Sequence, residues 1–182
     1  MVAAYTGFAK EGMRRAPRFV TRIEDSEGNV LATFVPQIHH VISRDAAWKM
    51  VELMRGVMDG GTGSRMRFRY NIKAPMGGKT GTTNDNSDGW FVGYTPSLAF
   101  GAWVGGEERD VHFSSMAYGQ GAASALPVVA KFLQRVYADS TLVYLPDENF
   151  EIPQEILDAW AAERANSGET GEMLVDEAAM NP

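Results

Sequence analysis

Lys79, Thr80, Gly81 and Thr82 place one cation beside two hydroxyls and a glycine, ahead of a run rich in aromatic residues that ends at Pro96. Two chemistries use such a set. A phosphate loop of the form G-x-x-x-x-G-K-[ST] would cradle an anion at a helix start. Gly78, Lys79 and Thr80 match its end, but its first position would be Lys73 rather than glycine. Gly81 to Asp85 are also poor helix formers, and another extended segment follows shortly. The alternative is a strand edge that grips a carboxylate. Lys79 supplies charge, and Thr80 and Thr82 supply hydroxyl donors for charge-assisted hydrogen bonds. Gly81 adds no side chain, so a ligand can approach the backbone. An extended peptide could exchange main-chain hydrogen bonds with such an edge. A backbone N–H near Thr82 could meet an oxygen that becomes negative during acyl transfer.

Other polar groups fit structural duties better. His39 and His40 follow Pro36 in what reads as a connection, and no third ligand has metal-binding spacing there. His112 is equally isolated. Asn84, Asp85, Asn86, Ser87 and Asp88 resemble a calcium loop, but the Gly and closing Glu of that pattern are missing, so they read as a turn. Ser114 and Ser115 lie in a loop without a neighbouring base. Trp90, Phe91, Tyr94 and Trp103 have strand spacing that favours packing within and between layers. Arg65, Arg67, Arg69 and Lys73 form a basic cluster that reads as a solvated face or a weak steer for an anion.

These residues need elements to hold them. Val2–Ala9 reads as the end of a helix stopped by Gly12. Residues 18–35 alternate as a hairpin around the turn Asp25–Asn29, and Pro36 ends it. Ser43 caps a helix whose Ala47, Met50, Val51, Met54 and Val57/Met58 form one apolar face, stopped by Gly60 and Gly61. Residues 61–75 read as an exposed approach to the next strand. Three extended segments follow, at 78–83, 89–94 and 98–105. Short separations make them antiparallel, and apolar residues on both faces call for helices on both sides. A second helix, from Ala125, carries Val128, Val129, Phe132, Leu133 and Val136 as its stripe. The sum is an α+β fold: an antiparallel β-sheet packed with helices.

The chain has 182 residues and no cysteine, which excludes disulfides and thiolate chemistry. Its net charge is −6, yet ten of the 23 acids lie in residues 147–182 with one base, Arg164. Residues 1–146 are thus a mildly basic body and 147–182 an acidic extension, partly helical or disordered. No apolar run approaches the roughly 20 residues of a membrane span. Nothing points to nucleic acid.

The triplet Lys79-Thr80-Gly81 resembles the K-T-G element of penicillin-binding proteins and class A β-lactamases. The longer stretch GGKTGTTNDNSDGWFVGYTPSLAFGAWVG resembles the C-terminal half of the transpeptidase domain of class A, bifunctional penicillin-binding proteins of the 1A-like group. RFVTRIEDSEGNVL resembles that family's hairpin. AAWKMVELMRGVMDGGTG resembles its helix and Gly-Thr-Gly turn. The resemblance covers Val2 to Asp139 and implies part of a penicillin-binding/β-lactamase-like fold. In this family a serine in S-x-x-K attacks the penultimate D-alanyl carbonyl of a peptidoglycan stem peptide. D-Alanine leaves, an amine resolves the acyl-enzyme, and β-lactams acylate the same serine. The resemblance implies that Lys79, Thr80, Gly81 and Thr82 bind substrate, that the Thr82 amide completes an oxyanion hole, and that Asn84 shapes the cleft. It implies no metal or organic cofactor.

One departure matters. No serine here is followed by lysine at the third position, and S-x-N is absent. Family order puts both elements, a glycosyltransferase domain and a membrane anchor upstream, in a parent acting at the periplasmic face of the inner membrane. Without an activated nucleophile this chain alone is expected to be inactive. Loss of the N-terminal part of the domain would expose an edge and apolar surface, which pairing into a homodimer or the acidic segment could cover. The alternative reading is a non-enzymatic half-domain for peptide binding or complex assembly.

Overall fold

The computed structural model describes residues 1–167, in two units divided between Phe150 and Glu151. In the second unit one helix runs from Gln154 to Ser167. The expectation of disorder in the final residues, 168–182, lies outside the described residues.

The first unit opens with α1 (Val2–Ala9) and β1 (Met13–Arg15). Strands β2 (Arg22–Glu24) and β3 (Val30–Thr33) form the expected hairpin, with an irregularity at Ile23/Glu24. Its turn is tied by Asp25, whose Oδ1 accepts from the Glu27 and Asn29 amides and whose Oδ2 accepts from the Asn29 side chain. The paired strands are shorter than the alternation of residues 18–35 suggests, and Phe19 is 96 % exposed. His39 and His40 do not sit in a connection. They belong to β4 (Ile38–His40), which pairs antiparallel with β1 and brings His40 opposite Met13.

Helix α2 (Arg44–Asp59) starts where the Ser43 hydroxyl accepts the Ala46 amide at 3.2 Å. It buries Ala47, Trp48, Val51 and Met58. The next stretch is not merely an exposed approach. It contains α3 (Arg65–Phe68) and buries Met66, Ile72 and Ala74. Arg67 in particular is no solvated charge. Its guanidinium donates to the Ile72 and Ala74 carbonyls and pairs with Asp59 at 2.9 Å, satisfying carbonyls of an irregular segment beside the core.

The central sheet has three antiparallel strands in the order β5 (Gly77–Thr82), β6 (Asp88–Tyr94), β7 (Ala99–Gly105). Its register sets Thr80 against Phe91 and Ala102, and Gly81 against Trp90 and Trp103. Side chains alternate between faces. Phe91 and Phe100 therefore share a face, which packs on α5 (Ala125–Ala138) together with Met58, Met66 and Met76. The other face carries Tyr94, whose ring lies 6.3 Å from Tyr5, 6.1 Å from Phe8 and 5.9 Å from Phe150. A one-turn helix, α4 (Met116–Gly119), precedes α5, where a loop was expected.

Two packing expectations need correction. Val128 and Phe132 of α5 are 54 % and 46 % exposed. The buried face is Ala125, Leu126, Val129, Ala130, Leu133 and Val136, so small residues let the helix approach the sheet closely. Phe91 and Tyr94 are core, but Trp103 is 46 % exposed and Trp90 half-buried. Trp103 instead donates its indole N–H to Asp88 Oδ1 at 2.7 Å and keeps its ring 6.4 Å from Trp90.

Candidate functional site

The candidate site is the outer strand β5. Antiparallel pairing alternates between residues whose main chain bonds the neighbour and residues whose main chain points away. The Thr83 amide donates to the Asp88 carbonyl at 3.1 Å, which fixes the parity of the ladder. Gly77, Lys79 and Gly81 accordingly turn their main-chain groups toward β6. Gly78, Thr80 and Thr82 turn theirs to the open edge. Met54 and Met58 of α2 stand beside Gly77 and Gly78, within 3.1 Å of where a Cβ would lie. That half of the edge is covered, whereas Lys79 and Thr82 are exposed.

Lys79 and Gly81 share one face, and Thr80 and Thr82 the other. Even so, charge and hydroxyls meet at the edge. Lys79 Nζ donates to the Thr80 carbonyl at 2.8 Å, one of the groups that faces outward. The Thr80 hydroxyl shares a 2.7 Å hydrogen bond with the Thr62 hydroxyl. The Thr82 Oγ1 accepts the Gly121 amide at 3.0 Å and keeps its own proton for another acceptor. A Cβ on Gly81 would meet only the Trp90 side chain, at 3.2 Å. Four residues expected in one place are therefore contiguous on an accessible strand edge.

Beyond Thr82 the chain turns tightly. Thr83 Oγ1 accepts the Asp88 amide at 2.9 Å and lies 3.1 Å from Asp88 Oδ2. Asn84 starts a short 3-10 turn, is exposed, and is followed by left-handed Asp85 and Asn86 (φ 59° and 58°), a conformation that Asn and Asp tolerate better than most residues. The turn is the one expected from the sequence, and Asn84 opens into a polar cavity of 260 Å³ there.

Thr62 and Gly121 were missed as residues that position this strand. They bond Thr80 and Thr82 from 18 and 39 residues away in the chain. The only local signals are the Gly61-Thr62-Gly63 turn and the glycine pair at 119 and 121. Gly121 has to be glycine, because a Cβ would sit 2.3 Å from the Trp90 carbonyl oxygen and 2.4 Å from that of Gly81. Among the described residues no three metal-ligating side chains gather, and no helix is long and apolar enough to cross a membrane.

Residues 1–134 match the family described as the penicillin-binding protein transpeptidase domain. Penicillin-binding protein 1A of Aquifex aeolicus is 37 % identical over 155 residues, 85 % of this chain and 20 % of the relative. That of Clostridium novyi is 31 % identical over 159 residues, 87 % of this chain and 17 % of the relative. The chain thus spans about a fifth of the length of these curated relatives. Among solved structures, penicillin-binding protein 1A from Haemophilus influenzae superposes with a TM-score of 0.71 at 22 % identity, covering 84 % of this chain and 27 % of that one. PonA1 from Mycobacterium tuberculosis gives 0.63 at 26 % identity, with 84 % and 39 % covered. The mixed helical and antiparallel-sheet fold is that of these domains, and the chain belongs to the penicillin-binding protein transpeptidase family, as part of a class A domain of the 1A-like group.

Proposed function

We propose that this chain supplies the carboxylate-gripping strand of a peptidoglycan D,D-transpeptidase. The observation that carries the reading is the open edge from Lys79 to Thr82, with an ammonium, a free hydroxyl proton and outward main-chain groups within one short stretch. On this reading Lys79 and the Thr80 and Thr82 hydroxyls hold the terminal carboxylate of a stem peptide. Gly81 leaves the edge clear. The outward Thr82 amide donates to the carbonyl oxygen as serine attack makes it negative. Asn84 shapes the far end. The serine, the lysine that activates it and the S-x-N element come from the rest of the domain. β-Lactams, whose carboxylate and strained carbonyl present the same pair of groups, are the second ligand class. A penicillin V complex solved for PonA1 supports this analogy at 25 % identity.

Residues 1–146 act as the transpeptidase portion and 147–182 as an acidic extension, in a parent at the periplasmic face of the cell envelope. Exposed apolar side chains on the β2–β3 hairpin, among them Leu31 and Val35, support a cover by the upstream part of the domain, with a second copy as its substitute. The family match disfavours a module without enzymatic ancestry.

The test uses acetyl-Lys-D-Ala-D-Ala and its C-terminal amide, titrated into the chain by NMR. The acid should bind about tenfold tighter than the amide, a gain of about 1.4 kcal/mol, and Lys79→Ala should erase the difference. Equal binding of acid and amide refutes the grip. A fluorescent penicillin should leave the chain unlabelled, and stoichiometric covalent labelling would refute the dependence on an outside nucleophile.

A further inference from the structure

A cavity of 460 Å³ lies at the end of β5 away from Thr82, between the segment that leads into the strand and the last turn of α5. Tyr70, Asn71, Lys73, Gln134, Tyr137 and Pro146 are among the residues that line it. From Asn71 to Ala74 the chain alternates. Ile72 and Ala74 enter the core, which leaves Asn71 and Lys73 exposed at the cavity. Tyr70 and Tyr137 pack against the same core, so their rings are fixed walls rather than swinging side chains. The Arg69 guanidinium stands 5.9 Å over the Tyr70 ring. Gln134 Nε2 donates to the Tyr70 carbonyl at 2.9 Å, which ties α5 to the opposite wall. Among the described residues no hydrogen bond or ion pair engages Gln134 Oε1, the Asn71 side chain or the Lys73 ammonium.

Two aromatic walls accept apolar surface. Between them one amide oxygen accepts, an ammonium donates, and Asn71 does either. A purely apolar ligand would leave these polar groups without partners, and a simple anion would use Lys73 and neglect the tyrosines. A pyranose ring uses both kinds of surface, with C–H groups for an aromatic wall and polar groups around its rim. An acetamido substituent adds an N–H for Gln134 Oε1, a carbonyl oxygen for Lys73 and a methyl for a tyrosine ring. The volume lies within the range of about 300–1,000 Å³ usual for small-molecule sites, and the exposed Asn71 and Lys73 leave its mouth open to the rest of a chain. We infer that this cavity is a saccharide-binding site, separate from the K-T-G edge, that takes an N-acetylated amino-sugar unit of a longer glycan. Peptidoglycan joins such sugars to the stem peptides placed on β5 above, so its glycan as the source rests on the proposed function, whereas the fit of the sugar does not. Ala74 lies six residues before Thr80, no more than about 22 Å along an extended chain. Cavity and edge are therefore close enough to hold two parts of one branched polymer.

The test titrates the 182-residue chain by NMR with three sugars. These are tetra-N-acetylchitotetraose, cellotetraose, which lacks the acetamides, and the peptide-free glycan of peptidoglycan. Chitotetraose should bind about tenfold tighter than cellotetraose, as one charge-assisted hydrogen bond would give, with shifts confined to residues 69–75 and 134–146. The peptide-free glycan carries the same acetamides and should bind at least as tightly. Lys73→Ala should lower the affinity for both acetylated sugars about tenfold, to the level of cellotetraose. Lys73 is exposed, so this variant keeps the fold. Lys79→Ala should change none of these affinities. Equal binding of chitotetraose and cellotetraose, shifts centred elsewhere, or no binding overturns the saccharide site and leaves the carboxylate grip standing. Binding of chitotetraose with the peptide-free glycan excluded overturns peptidoglycan as the source. Sugar binding that falls with Lys79→Ala overturns the separation of the site from the edge. Acid and amide peptides that bind alike, beside sugars that bind as expected, overturn the grip and leave the saccharide site standing.

Discussion

Gly121→Ala should damage the candidate site from outside the motif. Gly121 lies against the face of the Gly81–Trp90 pair, and its amide holds the Thr82 hydroxyl at 3.0 Å. A Cβ there falls 2.3 Å from the Trp90 carbonyl oxygen and 2.4 Å from that of Gly81. Both oxygens belong to a paired strand, so the strand cannot yield cheaply. The segment carrying Gly121 must withdraw by about 0.7 Å merely to reach a 3.0 Å contact. The same movement stretches the bond to Thr82 by up to the same amount, to at most about 3.7 Å, which weakens or breaks it. Overfilling costs about 1–3 kcal/mol and the lost bond about 1 kcal/mol. At about 2–4 °C per kcal/mol for a chain of this size, Tm should fall by about 5–15 °C. Gly56→Ala is the matched control. Gly56 lies within α2, and a Cβ there meets nothing within 4 Å. Removing backbone freedom from the unfolded chain should stabilise by about 0.5–1 kcal/mol and raise Tm by about 1–4 °C. Thermal unfolding followed by circular dichroism measures both. A Gly121→Ala midpoint within a degree of wild type, or shifts of the same sign in both variants, would refute the claim that this glycine is set by contact with β5 and β6.

Tyr94 is fully buried and its hydroxyl has no hydrogen-bond partner. Tyr94→Phe should therefore be neutral or stabilising by up to about 1 kcal/mol, and a loss beyond 1 kcal/mol in urea titrations would reveal an unseen partner. Burial, then the nearby Tyr5 and Glu52, hold this phenol far above its ordinary value. The unfolded chain releases the proton near the usual tyrosine pKa of about 10 while the folded chain retains it. Stability from this group is thus complete below that pH and lost as pH rises further. A Tyr94→Phe chain should lose less stability between neutral and strongly alkaline pH than wild type, and identical alkaline profiles would oppose the assignment. Ser43→Ala removes the cap on α2 and should cost about 1 kcal/mol in the same urea assay. A change under a few tenths would mean the helix start is held by packing alone.

What the sequence shows and what it hides divide by range. The helix after Ser43 and the three extended segments are legible, because capping, period and turn residues act within a few positions. The K-T-G stretch is legible for the same reason, as a run of residue types whose chemistry is local. Strand β4 is not. Three residues carry too little alternation, and its pairing with β1 is decided 25 residues away. The stripe on α5 is half right. Apolar weight draws attention to Val128 and Phe132, while the sheet selects Ala125 and Ala130 for their small size. Thr62 and Gly121 are illegible as partners of Thr80 and Thr82, since neither contact leaves a periodic trace.

Register also explains why a lysine, a small residue and two threonines suit this edge. Lys79 leaves the strand on the face opposite Thr80 and Thr82, so a short cation there would stay behind the sheet. Its four-carbon stem lets the ammonium come round to the Thr80 carbonyl. Gly81 stands next on the face of Lys79 and adds nothing to obstruct that path, with only the Trp90 side chain close to where a Cβ would lie. The threonines need no such reach, because Thr62 and Gly121 already orient them from the other face. Under the proposed function the carboxylate is thus gripped from both faces of one strand. The backbone between the grips is left free for the peptide and for the amide that meets its carbonyl.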